Sequence, residues 1–111
     1  MRKDFINLNG LCALVVDDNP PMRRLMKLIL RGLGASQVLE AASASEAMQM
    51  VRMAEPDFIT LDQRLGGVDG VDFARSIRTD EDSPNPCVPI LMVSGFAEPH
   101  VVTSARDAGV N

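Results

Sequence analysis

The chain has 111 residues, of which 46% are hydrophobic and 23% charged, and its formal net charge is −4. This composition is typical of one compact globular domain and excludes a disordered or fibrous chain. The acidic balance argues against direct contact with nucleic acid. No apolar run approaches the roughly 20 residues of a membrane span, and Met1 to Gly10 lacks the apolar core of a signal peptide. We therefore expect a cytoplasmic protein with no membrane contact, in which Cys12 and Cys87 are reduced thiols.

The first predicted elements are a buried strand and an amphipathic helix. Leu11 to Val16 is an unbroken apolar run, too short for an ordinary helix, and it ends in Asp17 and Asp18. Asn19 and the two prolines after it suit the cap and first turn of a helix. Apolar residues at helical spacing mark that helix, and glycines lie where it should close: Met22, Leu25, Met26, Ile29, Leu30 and Leu33, with Gly32 and Gly34.

Two further strands and a second helix follow. Gln37 to Ala41 is predicted to be a short second strand, and Phe58 to Asp62 a third strand that ends in acid. Between them, Ser43 and Glu46 form a capping box for a helix that Pro56 ends. The inward stripe predicted for this helix is Ala47, Met48, Val51 and Ala54.

The remaining elements continue the alternation of strands and helices. A glycine-rich turn after the third strand leads to a third helix that ends near Thr79, and a solvent loop follows. Pro89 to Ser94 is the predicted fourth strand, and a weaker helix runs from about Pro99 to Ala108. Because strands and helices alternate, we expect a parallel sheet covered on both faces, with right-handed crossovers. The apolar residues that indicate the third helix are Val71, Ala74 and Ile77.

Acids follow two of the predicted strands directly. If these strands are neighbours in a parallel sheet, about 4.8 Å apart, then Asp17, Asp18 and Asp62 meet in one depression at the carboxyl edge, where open α/β sheets bind ligands. Mutual repulsion favours a cation among them, and hard oxygen ligands of this kind suit Mg²⁺. An acidic cup that holds Mg²⁺ suits phosphoryl chemistry. The alternatives are an ordinary strand-to-helix cap for the first two acids and a mere strand-end acid for the third.

A family resemblance covers nearly the whole chain from Leu11 onward. The set Asp17-Asp18, Leu61-Asp62, Asp69-Gly70 and Val93-Ser94-Gly95 resembles the receiver domain of two-component response regulators. The resemblance implies a flavodoxin-like, doubly wound parallel α/β sheet of the (βα)₅ type, of which this chain holds (βα)₄. Residues 1–10 would be an N-terminal lead-in and residues 11–111 the receiver domain.

The resemblance also implies roles for particular residues. Asp62 would accept a phosphoryl group from phosphohistidine on a histidine kinase or a histidine phosphotransfer protein. Asp18 and Asp62 would bind Mg²⁺ directly, Asp17 largely through water, and the backbone carbonyl of Arg64 would be a further ligand. Ser94 would hydrogen bond the phosphoryl group and couple it to a conformational switch. Such a domain assists its own phosphorylation and dephosphorylation and is not a turnover enzyme on an external substrate.

The sequence departs from the family pattern in two places. Lys3 and Lys27 are the only lysines in the 111 residues, and neither matches the lysine that the family carries at the end of its fifth strand. We therefore expect the fifth strand and helix to be absent, which leaves the fourth strand with an open edge suited to pairing with a second copy. Gly66 stands where the family often has proline, which should loosen the loop after Asp62.

Two other functions stay open at this point. The missing lysine favours a non-phosphorylated, receiver-like protein-interaction module. A Mg²⁺-dependent phosphohydrolase is disfavoured because no acid lies two residues after Asp62. Asp69 is expected to shape the turn before Gly70, and His100 to be a surface residue. The methionines at helical spacing are expected to fill the core.

Overall fold

Four parallel strands with flanking helices form the body of the protein. A computed structural model describes residues 8–62, 64–65, 68–79 and 86–93, and only the backbone of residues 64, 65, 68, 69 and 93. The main sheet has the strand order β2-β1-β3-β6, and the predicted flavodoxin-like α/β fold is confirmed. Ser94 and the predicted helix from Pro99 to Ala108 lie outside the described residues. In chain order the elements are β1 (Cys12–Val16), α1 (Pro20–Gly32), β2 (Gln37–Ala41), α2 (Ala44–Ala54), β3 (Phe58–Asp62), β4 (Arg64–Leu65), β5 (Val68–Asp69), α3 (Gly70–Thr79) and β6 (Ile90–Val93).

The central strands β1 and β3 are apolar because both of their faces are covered. Alternate residues of each strand point to opposite faces of the sheet, and the two faces carry separate cores. Leu14, Ile59 and Leu61 belong to the larger core, which α2 and α3 cover. Ala13 and Val15 belong to the smaller core on the α1 side. Both strands are therefore fixed between two packed layers, which holds their carboxyl ends in place.

The helix ends agree with the capping residues predicted from the sequence. The Asn19 side chain accepts a hydrogen bond from the Met22 N–H (3.1 Å), and the Ser43 hydroxyl accepts one from the Glu46 N–H (3.1 Å). These bonds satisfy N–H groups that the first turn of a helix leaves without intrahelical partners. At the other end of α1, Gly34 has a φ of 101°, a left-handed conformation that glycine adopts without strain.

The outer side of α1 differs from the predicted pattern. Of the stripe predicted to face the core, Leu30 is buried, whereas Leu25 is 49% and Ile29 is 46% exposed. The prediction of a single core-facing stripe was wrong for these residues because no described element packs on that side of the helix. The prediction that the methionines fill the core was likewise wrong for Met22 and Met53, which are exposed. Ala54 of the predicted α2 stripe is also exposed. None of the helices in the described ranges has the length and apolar character needed to cross a bilayer.

A small hairpin lies where the sequence suggested only a turn. Strands β4 and β5 pair antiparallel, with Arg64 opposite Asp69 and Leu65 opposite Val68. The two residues between the strands are both glycine. A glycine pair between two short runs is a known hairpin signal, which the prediction overlooked. The expectation that Asp69 only shapes a turn is corrected accordingly, because its backbone pairs within a strand.

Candidate metal centre

The strand register brings the three predicted acids to one place. Strands β1 and β3 are parallel neighbours, and Val16 lies opposite Leu61. The residues that follow this pair, Asp17 and Asp62, therefore emerge at the same level of the sheet. With Asp18 they form a group in which one carboxylate oxygen of each residue lies within 4.8 Å of the others. Such a group places three negative charges at the carboxyl edge of the sheet, where ligands bind in this fold.

Hydrogen bonds hold Asp17 on three sides. Its N–H donates to the Ala41 carbonyl oxygen (3.1 Å), which extends the pairing of β1 with β2. Its carbonyl oxygen accepts from Arg23 Nη1 (2.8 Å), and its Oδ1 accepts from the Asn19 N–H (2.9 Å). With one carboxylate oxygen committed to the backbone, Asp17 has the other to offer a cation or a water molecule. Its position is fixed before any ligand arrives.

The basic residues of α1 that lie near the site are paired with a glutamate on β2. Arg23 Nε lies 3.4 Å from Glu40 Oε1, and Lys27 Nζ lies 3.3 Å from Glu40 Oε2. All three side chains are partly buried, so these ion pairs are less screened than pairs on the open surface. They fix Arg23 while it donates to the Asp17 carbonyl. Glu40 thus supports the backbone of the acidic cluster without belonging to it.

A small hard cation fits the donor set. Asp17 and Asp62 are half-buried and Asp18 is exposed, and all three border an open cavity of about 220 Å³. Three carboxylates offer only oxygen ligands, which suits Mg²⁺ better than softer metals. Because Mg²⁺ keeps several of its waters, it needs both direct ligands and space for hydration. The cluster and its cavity provide both.

The other two predicted site residues are Arg64, of which only the backbone is described, and Ser94. Arg64 lies in β4, two residues after Asp62, and the role of its carbonyl oxygen as a ligand stays a prediction. Val93 lies opposite Asp62 in the register of β3 and β6. Ser94 is the next residue along the chain but lies outside the described residues, so its role also stays a prediction.

One residue of this site was not singled out from the sequence. Thr60 is 3% exposed and is the one buried polar residue found among the described residues. Within the described part of the chain its hydroxyl oxygen has no hydrogen-bond partner, yet the residue lines the same cavity as the acids. A threonine inside the run Phe58–Asp62 has the character of an ordinary β-branched strand residue, so the sequence alone does not mark it as a site residue. Its spacing from Asp62 is the feature of the sequence that could have identified it. Residues two apart in a strand share a face of the sheet, so Thr60 is expected on the same face as Asp62.

The cysteines lie away from the acidic centre. Both are free thiols, as predicted. Cys12 begins β1, at the opposite end of the strand from Asp17, and its N–H donates to Asp57 Oδ2 (2.7 Å). Burial, and secondly the negative charge of Asp57, raises the pKa of the Cys12 thiol above its ordinary value. This thiol therefore has the opposite of the environment that activates a nucleophilic cysteine.

Fold and site together define a doubly wound α/β domain with an acidic centre at the carboxyl edge of its sheet. The family model of the response regulator receiver domain matches residues 13–111. The chain therefore belongs to the response regulator receiver domain family, the signalling modules of two-component systems, as the resemblance predicted.

Known proteins of similar sequence and structure agree with this assignment. The chain is 36% identical over 98 residues to the chemotaxis protein CheY-3 of Vibrio cholerae, which covers 88% of this chain and 74% of that protein. It is similar to the receiver domain of the histidine kinase CKI1 from Arabidopsis thaliana complexed with Mg²⁺ and BeF₃⁻. That comparison has a TM-score of 0.81 and 30% identity, and it covers 93% of this chain and 78% of the other.

A third similarity involves an enzyme. The chain is 39% identical over 99 residues to a protein-glutamate methylesterase/protein-glutamine glutaminase of Burkholderia thailandensis. The match takes in 88% of this chain but only 25% of that protein. The shared part is thus a quarter of the enzyme, and no esterase or glutaminase activity follows for this chain.

Proposed function

We propose that this chain is the phosphoacceptor domain of a two-component phosphorelay and that Asp62 receives a phosphoryl group from phosphohistidine. The observation that carries the proposal is the convergence of three carboxylates from two neighbouring strands within 4.8 Å. The CKI1 receiver domain complexed with Mg²⁺ supports the same ion here. Asp18 and Asp62 would hold the ion directly and Asp17 through water, with the Arg64 carbonyl as a further ligand.

Asp62 is the nucleophile in this account. One of its carboxylate oxygens attacks the phosphorus atom of phosphohistidine, so a P–O bond forms while the P–N bond breaks. The bonding electrons leave with the imidazole nitrogen, which takes up a proton from solvent. When bound, Mg²⁺ neutralises charge on the transferring oxygens. Asp62 is suited to this role because it is half-buried at the rim of the sheet, where a partner protein has access to it.

The other residues keep the reacting group in place. Asp17 is held by three hydrogen bonds, so its carboxylate is fixed where it would hold a hydrated Mg²⁺ beside the nucleophile. Positioning, together with the positive charge that such an ion would supply, makes up most of the catalysis of phosphoryl transfer. Ser94 follows the residue opposite Asp62 and would hydrogen bond the transferred group. A histidine kinase or a histidine phosphotransfer protein in the cytoplasm is the phosphoryl donor in this proposal.

Phosphorylation by a small-molecule donor tests the proposal. We expect the chain, incubated with acetyl phosphate and Mg²⁺, to gain one base-labile phosphoryl group by intact mass spectrometry. Asp62→Asn removes the nucleophile and should abolish the gain. Asp57→Asn, the same chemical change at the start of β3, is the matched control and should leave the gain intact. Labelling that persists in Asp62→Asn would contradict the assignment.

A chain that takes up no phosphoryl group would contradict the proposal in another way. That result, together with partner binding unaffected by a phosphate donor, would favour the interaction-module alternative.

A further inference from the structure

Thr60 lies on the α1 side of the sheet, beneath the acidic cluster. Its neighbours Ile59 and Leu61 belong to the core on the opposite face, so the alternation of β3 directs Thr60 to the α1 side. In the register it lies between Val15 of β1 and Leu91 of β6. Asp62 is the next residue on the same face. The hydroxyl of Thr60 and the carboxylate of Asp62 are therefore consecutive polar groups along one strand.

The hydroxyl of Thr60 is an exception to the rule that buried polar groups form hydrogen bonds. Almost all buried hydroxyls in folded proteins have a protein or water partner, and one without a partner calls for a physical reason. The Thr60 hydroxyl has no partner among the described residues and is almost wholly shielded from solvent. A valine at this position would fill nearly the same volume without a buried polar atom. The hydroxyl therefore indicates that something other than protein binds it.

The cavity beside Thr60 is suited to water. It has a volume of about 220 Å³, room for several water molecules at about 30 Å³ each. Polar cavities retain water when two to four polar groups surround it, and this one is bordered by Thr60, Asn19 and the three acids. Met22 and Met26 of α1 also line this cavity. A small movement of either flexible thioether chain admits a water molecule to the hydroxyl.

The spacing along β3 fits a bridge of one water. Residues two apart in a strand are separated by about 6.6 Å, and their side chains leave the sheet in the same direction. Two hydrogen bonds of about 2.8 Å each, made by one water oxygen at a roughly tetrahedral angle, join polar atoms about 4.5 Å apart. Such a separation is within reach of two side chains whose Cα atoms are about 6.6 Å apart. A carboxylate has about four acceptor positions, so Asp62 accepts such a bond in addition to its other contacts.

We propose that Thr60 is a positioning residue of the cation site and that its hydroxyl binds a water molecule which hydrogen bonds the Asp62 side chain from within the cavity. This water fixes the orientation of the Asp62 carboxylate toward the cation. The inference rests on the proposed function, since it assigns a supporting residue to the same metal centre. Its effect is on the affinity for Mg²⁺, which is measured without any phosphoryl transfer.

The test compares Thr60→Val with Thr60→Ser in the full chain. Valine keeps the shape and removes the hydroxyl, whereas serine keeps the hydroxyl. Isothermal titration with Mg²⁺ should show a dissociation constant raised about three- to tenfold in Thr60→Val, the loss expected for one hydrogen bond, and close to the unmodified value in Thr60→Ser. Equal weakening in both variants, or none in Thr60→Val, would overturn the inference.

Two further measurements separate this inference from the proposed function. If the unmodified chain binds no Mg²⁺, the proposed function fails; if it binds Mg²⁺ and Thr60→Val binds it equally well, only the role of Thr60 fails. A high-resolution crystal structure of the unmodified chain gives an answer that does not depend on either variant folding. We expect an ordered water within hydrogen-bond distance of both Thr60 Oγ1 and an Asp62 carboxylate oxygen. A hydroxyl without such a water would overturn the inference.

Discussion

Replacing Asp62 by asparagine should stabilise the metal-free protein. The change keeps the size of the side chain and removes its two like-charge interactions, with Asp17 and Asp18. At the largest separation the structure allows, 4.8 Å, each interaction costs about 0.9 kcal/mol in a medium as polar as bulk water. The dielectric constant of water is used because these side chains are partly or fully exposed. We therefore expect the free energy of unfolding to rise by about 1.5 kcal/mol at low ionic strength.

Urea unfolding followed by far-ultraviolet circular dichroism measures this change, since the chain has no tryptophan or tyrosine for fluorescence. With EDTA and about 10 mM salt, where screening is weak, Asp62→Asn should unfold at a higher midpoint, by about 1 M urea for a typical slope. In about 1 M salt most of the gain should vanish, because the screening length falls to about 3 Å.

In the presence of Mg²⁺, the unmodified chain should be more stable than Asp62→Asn. At about one hundred times its dissociation constant, a ligand stabilises the folded state by about 2.7 kcal/mol. The unmodified chain should gain this amount, and Asp62→Asn, which lacks one direct ligand, should gain little. Asp57→Asn is the control, because its carboxylate accepts the Cys12 N–H far from the cluster, and it should respond to Mg²⁺ like the unmodified chain. A metal-free Asp62→Asn less stable than the unmodified chain, with no loss of the Mg²⁺ response, would refute the reasoning.

The other predictions concern the supports of the fold and site. Ser43→Ala should lower the free energy of unfolding by about 1 kcal/mol in urea titrations, since it removes the cap of α2; an unchanged midpoint would contradict this. Glu40→Gln should cost about 0.5–1 kcal/mol at low salt and less at high salt, because the ion pairs with Arg23 and Lys27 are lost; a loss independent of salt would argue against the charge as its cause. Because its pKa is raised, Cys12 should react with iodoacetamide more slowly than the exposed Cys87 near pH 8, as judged by peptide mass spectrometry; equal rates would contradict the raised pKa of the partly buried thiol. Because the pKa of Cys12 is higher in the folded than in the unfolded protein, the free energy of unfolding should fall as the pH rises past the pKa of the unfolded thiol. Cys12→Ala removes this thiol and should reduce the fall.

The sequence predicted the elements whose signals are local. The strands Gln37–Ala41 and Phe58–Asp62 have the predicted bounds, and Asn19 and Ser43 cap their helices, because apolar runs and capping residues act over a few neighbouring residues. The alternation of strands and helices predicted parallel strands, but not that β1 and β3 are neighbours. The convergence of the three acids was predicted on the condition that they are, and the register meets that condition.

Other features depend on contacts between distant segments and could not be read from local patterns. Leu25 and Ile29 have the spacing of core residues, and only the packing of α1 shows that they lie exposed. Thr60 is a common strand residue, and its significance comes from a cavity that α1 and β3 form together. Arg23 of α1 donates a hydrogen bond to the Asp17 carbonyl oxygen and so joins this helix to the end of β1. The spacing of residues in the sequence does not predict the direction of the arginine side chain.

Chemical mapping of the phosphorylated residue tests the central claim most directly. Borohydride reduces an aspartyl phosphate to homoserine, and peptide mass spectrometry then locates the change in the sequence. After treatment with acetyl phosphate and Mg²⁺, we predict homoserine in place of Asp62, and none when EDTA replaces the metal. Homoserine at another aspartate, or at Asp62 with equal yield in EDTA, would contradict the account of a metal-dependent phosphoacceptor.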